Sequence, residues 1–147
     1  MKSLFNLFLL LFLATPASAQ VTGYLNGDFG TPSAAGSASG SSTITLNDAG
    51  TQLWERQNSS GHVVYNHTRD EGAAKYLTAQ VTSIASTDPY AQACVGFFEN
   101  RNHDARFAAA CLTKKGTVQL IARITPTTDF RVVATQLAQS SQPYLRV

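Results

Sequence analysis

Apolar and polar positions alternate along several short stretches of the second half of the chain. Leu77, Ala79 and Val81 alternate with Tyr76, Thr78, Gln80 and Thr82, the period-2 pattern of a half-buried strand. Thr87-Asp88-Pro89 breaks the chain. Ala91–Phe98 and Phe107–Leu112 are two further apolar runs, separated by the polar loop Glu99–Asp104. The turn Lys114-Lys115-Gly116 leads into Val118, Leu120, Ala122 and Ile124, which alternate again. The pattern predicts a β-meander from Tyr76 to Ile124.

The central hairpin has a register that arithmetic can test. A loop centred between Asn102 and His103 makes directly opposed residues sum to 205. Glu99 then faces Arg106, Phe98 faces Phe107, Val95 faces Ala110 and Cys94 faces Cys111. One register thus yields a charge pair, an aromatic pair and the two cysteines together. A one-residue bulge in the loop would undo all of these pairs, because it turns each side chain to the other face.

The first half is sparser. Residues 20–42 are rich in Gly, Ala, Ser and Pro, and the Ala34–Ser42 run reads either as a linker or as an extended edge segment. Thr43–Leu46 and His62–Tyr65 read as short strands, with Leu53-Trp54 between them. Asn66–Ala74 is rich in turn residues. Phe130–Thr135 and Pro143–Val147 read as two strands near the end. No amphipathic helix of usable length and no internal repeat is visible. Short strands at roughly 10- to 15-residue spacing predict an all-β antiparallel sandwich or barrel.

Residues 1–19 change the picture of where the chain works. Lys2 is followed by the apolar run Leu4–Leu13 and by Ala17-Ser18-Ala19, the small-x-small pattern of a cleaved secretory signal peptide. Its apolar run is too short to span a bilayer, and no later stretch is apolar enough to do so. The expected mature chain, residues 20–147, is a single domain of 128 residues, long enough to build a core. It is expected to be secreted or periplasmic. Without Lys2, ten basic residues stand against nine acidic ones, which gives no electrostatic case for binding nucleic acid. Export permits a disulfide. Cys94 and Cys111 are the candidates, provided that they form a closely spaced, non-hydrogen-bonded pair. Two buried free thiols are the equal alternative.

Several phrases also carry a resemblance as an ordered set. They are Gly27-Asp28-Phe29-Gly30-Thr31-Pro32 with Ala35-Gly36-Ser37, Trp54, His62-Val63-Val64-Tyr65, Leu77–Ser83, Thr87–Ala93 and Pro143-Tyr144-Leu145-Arg146. In order and spacing the set resembles bacterial secreted domains of the concanavalin A-like, laminin-G-like jelly-roll class. The resemblance covers nearly all of the expected mature chain. It implies two packed antiparallel sheets and a binding or accessory role in glycan-active or cell-surface proteins. It also implies loop oxygens for calcium, with Asp28 as the candidate ligand and an ordinary turn aspartate as the simpler reading. Tyr90 stands where the pattern usually has Trp, and Cys94 where it usually has Gly. The chain also reaches Val147 before the closing strands of the pattern, so the jelly roll is expected to be incomplete. Its open sheet edge then invites self-association.

Candidate chemistry is thin. Glycoside hydrolysis by such a sandwich would need carboxylates at alternate positions of one strand. The acidic residues are instead scattered, and Asp70-Glu71 are adjacent. No G-x-S-x-G elbow is present. His103-Asp104 reads as part of a polar turn, and His62 as a packed or edge histidine. No catalytic residue is assigned. Glycan binding needs aromatic stacking platforms beside polar side chains. The candidates are Trp54, Tyr65, Tyr90 and the polar loop from Asn100 to Arg106, above all Asn100, Arg101, Asn102, His103 and Asp104. The expectation is therefore a secreted, non-catalytic β-sandwich that binds carbohydrate or a cell-surface glycan. The alternatives are an accessory fragment of a glycoside-active enzyme and a self-associating structural module.

Overall fold

The computed structural model describes residues 21, 23–50, 53, 59–66, 76–126 and 131–147. The signal-peptide expectation, Trp54 and Asp70-Glu71 lie outside the described residues. Among those residues the fold is all-β and antiparallel, and no helix is long and apolar enough to cross a membrane. The strands are β1 (Leu25–Phe29), β2 (Ser37–Gly40), β3 (Ile44–Asn47), β4 (Gly61–Tyr65), β5 (Thr78–Gln80), β6 (Gln92–Phe98), β7 (Phe107–Thr113), β8 (Thr117–Arg123), β9 (Arg131–Leu137) and β10 (Tyr144–Arg146).

The meander is real but begins later than the alternation suggested. Strands β6, β7, β8 and β9 form a four-stranded sheet in sequence order. The Tyr76–Thr82 stretch, expected as its first strand, supplies β5 and pairs with β10 instead. Thr87-Asp88-Pro89 thus lies on a crossover between sheets and not in a hairpin turn. The Ala34–Ser42 run is not a linker: it carries β2, which pairs with β3.

The β6–β7 register is the one the sequence predicts. Cys94 opposes Cys111, Val95 opposes Ala110 and Phe98 opposes Phe107. The Phe98 and Phe107 rings stack with centroids 5.3 Å apart. Arg106 donates two hydrogen bonds to the Glu99 carboxylate, at 2.7 and 3.1 Å. The Glu99 N–H bonds to the Arg106 carbonyl, and the Lys114 N–H to that of Ala91. Odd-numbered β6 positions are therefore the hydrogen-bonded pairs, and Cys94–Cys111 is a non-hydrogen-bonded, closely spaced pair. Its Cα atoms are 4.0 Å apart and its sulfurs are bonded. Gly96 permits this close approach, since a Cβ there would lie 2.6 Å from the Ala108 carbonyl oxygen and 2.7 Å from the Ala109 Cβ.

Strand parity then builds two cores on opposite faces of this sheet. Phe98, Phe107, Ala109, Cys111 and Ile121 share one face by register. They pack with Phe29 of β1, Val63 of β4 and Leu53. Val95, Ala110 and Leu112 share the other face and pack with Leu145 of β10, Val81 and Ile84. Each face is thus covered by a two-stranded sheet, face to face as in a sandwich. The β2–β3 hairpin lies against the outside of β1 and β4. Strand β9 ends the four-stranded sheet, and all seven of its residues are exposed.

Replacing both Cys94 and Cys111 by Ala is expected to destabilise the fold by about 3 kcal/mol through the lost constraint on the unfolded chain. That corresponds to a melting temperature lower by roughly 10 °C. Thermal melts of the two proteins under non-reducing conditions test this. Coincident melts would mean that the bond contributes nothing to the folded state.

Candidate functional site

Exposed aromatic and polar side chains gather on the outer face of the β5–β10 pair. The pairing extends one residue beyond each strand of the pair. Leu77 and Val147 exchange N–H···O bonds, and the Val81 N–H reaches the Pro143 carbonyl. Residues at 77, 79, 81, 143, 145 and 147 therefore share a face. That face is inward, since Leu145 is only 2% exposed and packs with Val81 and Val147 in the second core. The even positions must face outward. They are Tyr76, Thr78, Gln80, Tyr144 and Arg146, all exposed. Tyr76 is 68% and Tyr144 71% exposed, more than ordinary surface tyrosines need to be. Thr78 opposes Arg146, and Gln80 opposes Tyr144. The Arg146 guanidinium carbon sits 3.6 Å from the Tyr76 ring centroid, a cation–π contact. The Gln80 amide donates to the Gln142 carbonyl at 3.3 Å. From Tyr76 to Gln80 the face runs about 13 Å at the usual strand rise.

The candidate loop 100–104 is placed at the tip of the β6–β7 hairpin, where Asn100, Arg101, Asn102 and His103 are exposed while backbone carbonyls and the Arg101 guanidinium bond to the protein. The Asn102 N–H bonds to the Asn100 side-chain oxygen at 2.8 Å. The Arg101 guanidinium donates to the Asp28 carbonyl at 3.3 Å and lies over the Tyr65 ring. The Arg101 carbonyl accepts from the Gly30 N–H. The His103 and Ala105 carbonyls accept from buried Arg123, at 2.6 and 3.3 Å, and Arg123 also donates to the Ser59 hydroxyl. The tip is a clasp that ties β6–β7 to β1 and to the end of β8. The depression beside it, lined by Phe29, Phe98, Asn102, His103, Phe107 and Arg123 among others, leaves no room even for a water-sized ligand.

Tyr90 stands apart from both places. It is exposed on a turn, its N–H bonds to the Asp88 carboxylate at 2.8 Å, and the Lys115 ammonium lies 4.0 Å from its ring centroid. Among the described residues the structure brings it together with no other candidate.

Asp28 is engaged with nitrogen donors. It opposes His62 across β1 and β4, on the side away from Phe29 and Val63. Its Oδ1 accepts from the Gly36 N–H at 3.0 Å and lies 2.7 Å from His62 Nδ1. With the carboxylate accepting, Nδ1 carries the proton. The His62 side chain is 3% exposed, and its Nε2 has no hydrogen-bond partner among the described residues. A Cβ on Gly36 would fall 2.5–2.7 Å from the imidazole and its Cβ, so only glycine lets the chain pass over the ring. Among the described residues no three His, Cys, Asp or Glu side chains gather as metal ligands.

Comparison with protein-family models, with curated proteins and with solved structures found no match.

The Asp28–His62 contact makes an acid-stability prediction. The hydrogen bond from His62 holds the Asp28 carboxyl below its ordinary value of 3.8, with the Gly36 N–H adding to the effect against the opposing pull of burial. A depressed folded-state value stabilises the fold above the ordinary value and loses that contribution as pH falls through the depressed one. Unfolding free energy is therefore expected to fall more steeply below pH 3.8 in the unmodified protein than in Asp28→Asn. Urea titrations from neutral to strongly acid pH check the slope; parallel slopes would dissociate the carboxylate from acid unfolding.

Proposed function

We propose that the chain is a secreted, non-catalytic β-sandwich module, of the concanavalin A-like, laminin-G-like class that its phrases resemble, which binds glycan through the outer face of β5 and β10. The observation that carries this reading is the joint exposure of Tyr76 and Tyr144 on one face with Arg146, Thr78 and Gln80. Aromatic rings offer the apolar C–H faces of sugars a flat partner, and flanking amide, hydroxyl and guanidinium groups fix the sugar hydroxyls. Exposed rings of this size stay in water at a cost that a ligand can recover. An open strip of about 13 Å suits a stretch of saccharide chain better than a small molecule, which would need a concave pocket. The Cys94–Cys111 disulfide and the apolar leader both support an exported protein.

Binding of the purified protein to immobilised plant, bacterial and animal glycans tests the reading. Tyr144→Ala is expected to weaken binding about tenfold. The melting temperature should stay unchanged, because so exposed a ring contributes little to folding. A protein that binds none of these glycans would end the proposal.

A second reading, self-association, has its own observation. Strand β9 has no partner on its outer edge among the described residues, and it exposes Val132, Val133 and Leu137 beside exposed Ile124. Its one charged residue, Arg131, stands at its end. Edge strands usually carry charge or proline to prevent pairing with another chain. Antiparallel addition of a second β9 would continue the sheet, with a two-fold axis near Ala134. Sedimentation equilibrium is expected to show a dimer that Val133→Lys converts to monomer without loss of β-sheet circular dichroism. A monomer at every concentration would dismiss this reading.

A further inference from the structure

We infer that the ligand of the β5–β10 face is an acidic saccharide, a glycan bearing carboxylates, and that Arg146 selects it. This rests on the glycan-binding reading above and adds the chemistry of the ligand. Among Tyr76, Thr78, Gln80, Tyr144 and Arg146, arginine is the only charged residue, so these five side chains present a cation and no carboxylate.

The state of this guanidinium differs from that of three other arginines. Arg106 is held by Glu99, Arg101 by the Asp28 carbonyl and Arg123 by the His103 and Ala105 carbonyls. Arg146 has only the Tyr76 ring, at 3.6 Å, among the described residues. Stacking takes up the flat face of a guanidinium and consumes none of its N–H donors. The in-plane donors stay free for a carboxylate, which a guanidinium can bind through two parallel hydrogen bonds. The Tyr76 contact also limits the rotamers of a long side chain, so less entropy is lost when a ligand binds.

Spacing links the charge to the platform. Tyr144 and Arg146 are two residues apart on one strand and share its outer face, about 7 Å apart along the strand. A pyranose stacked on Tyr144 brings a carboxylate on its ring within reach of Arg146. The side chains of Thr78 and Gln80, directly across the pair, are placed for its hydroxyls. The reverse side of β10 is anchored by buried Leu145, so Tyr144 and Arg146 keep this relation.

The test compares oligosaccharides of galacturonate, glucuronate and mannuronate with their methyl esters, which keep the sugar rings and remove the charge. Calorimetry on the purified protein is expected to give at least about tenfold tighter binding of the acids, weakening as salt rises. Arg146→Gln should abolish the preference, so that acid and ester bind the variant with the same affinity. Arg146→Lys should recover only part of the preference, because a point charge lacks the two-pronged geometry. Acid and ester bound equally, with Arg146→Gln silent, would overturn the acidic specificity and leave the glycan reading standing. Failure of every acid and every ester to bind would overturn both. The ester comparison uses the unaltered protein, so a misfolded variant cannot produce its outcome.

Discussion

The register between β6 and β7 is the constraint on which the rest of the structure depends. Side chains along a strand alternate between faces, so a shift of one residue would exchange the two faces of the sheet. Here the faces are not interchangeable. Phe98 and Phe107 belong against Phe29, and Val95 and Ala110 belong against Leu145. Three interactions of different kinds hold the register. The covalent Cys94–Cys111 bond is worth about 3 kcal/mol on chain entropy. The Phe98–Phe107 stack adds up to about 1 kcal/mol. The exposed Glu99–Arg106 pair adds little in free energy, since water and salt screen it, but it marks the same alignment at the strand ends.

Small residues let this hairpin act as the centre of several layers. Ala108, Ala109 and Ala110 leave little side-chain bulk on β7, and Gly96 leaves none opposite Ala109. The large groups come from outside: Phe29 and Leu53 on one face, Leu145 on the other. Arg123 then secures the loop end of the hairpin. A buried guanidinium is tolerated only when hydrogen-bonded, and here the carbonyls of the hairpin tip and the Ser59 hydroxyl accept from its two terminal nitrogens. The polar tip, attractive as a ligand loop from composition, is thereby tied to the protein through its backbone while Asn100, Asn102 and His103 stay exposed. The Arg101 carbonyl accepts from the Gly30 N–H, and its guanidinium donates to the Asp28 carbonyl.

Alternation in the sequence revealed where strands lie and which residues share a face, and in the hairpin it also revealed the pairing. It worked there because a short loop leaves one plausible partner, and because the cysteine, aromatic and charge pairs agree. It failed for Tyr76–Thr82 because period 2 names no partner. That stretch pairs with a segment more than sixty residues away, and local pattern carries no information about such a choice. Strand β2, Ser37–Gly40, was legible only as one of two options, since a Ser-Ala-Ser-Gly strand has the composition of a linker. The candidate face was missed for the same reason as its pairing. Tyr76 and Tyr144 are ordinary residues until β5 and β10 are set side by side, and then they stand on one surface with Arg146. Asp28 was visible as an acidic residue between glycines, but its partner His62 appears only through the β1–β4 register.

The two exposed places of the molecule differ in what stands behind them, and this decides what each can do. Among the described residues strand β9 is open on its edge, and it is exposed along its whole length, with a bulge at Val133 where the register to β8 shifts. Nothing there fixes side-chain geometry for a small ligand, but free backbone groups suit an added strand. The β5–β10 pair is shorter, three paired residues in each strand. An isolated pair of that length would not be stable in water. It is held because its inner side chains are part of the second core. The same burial that makes the short pair possible gives its outer side chains a rigid base. Recognition of a flexible saccharide needs such a base, because each rotamer already fixed is one that binding does not have to fix.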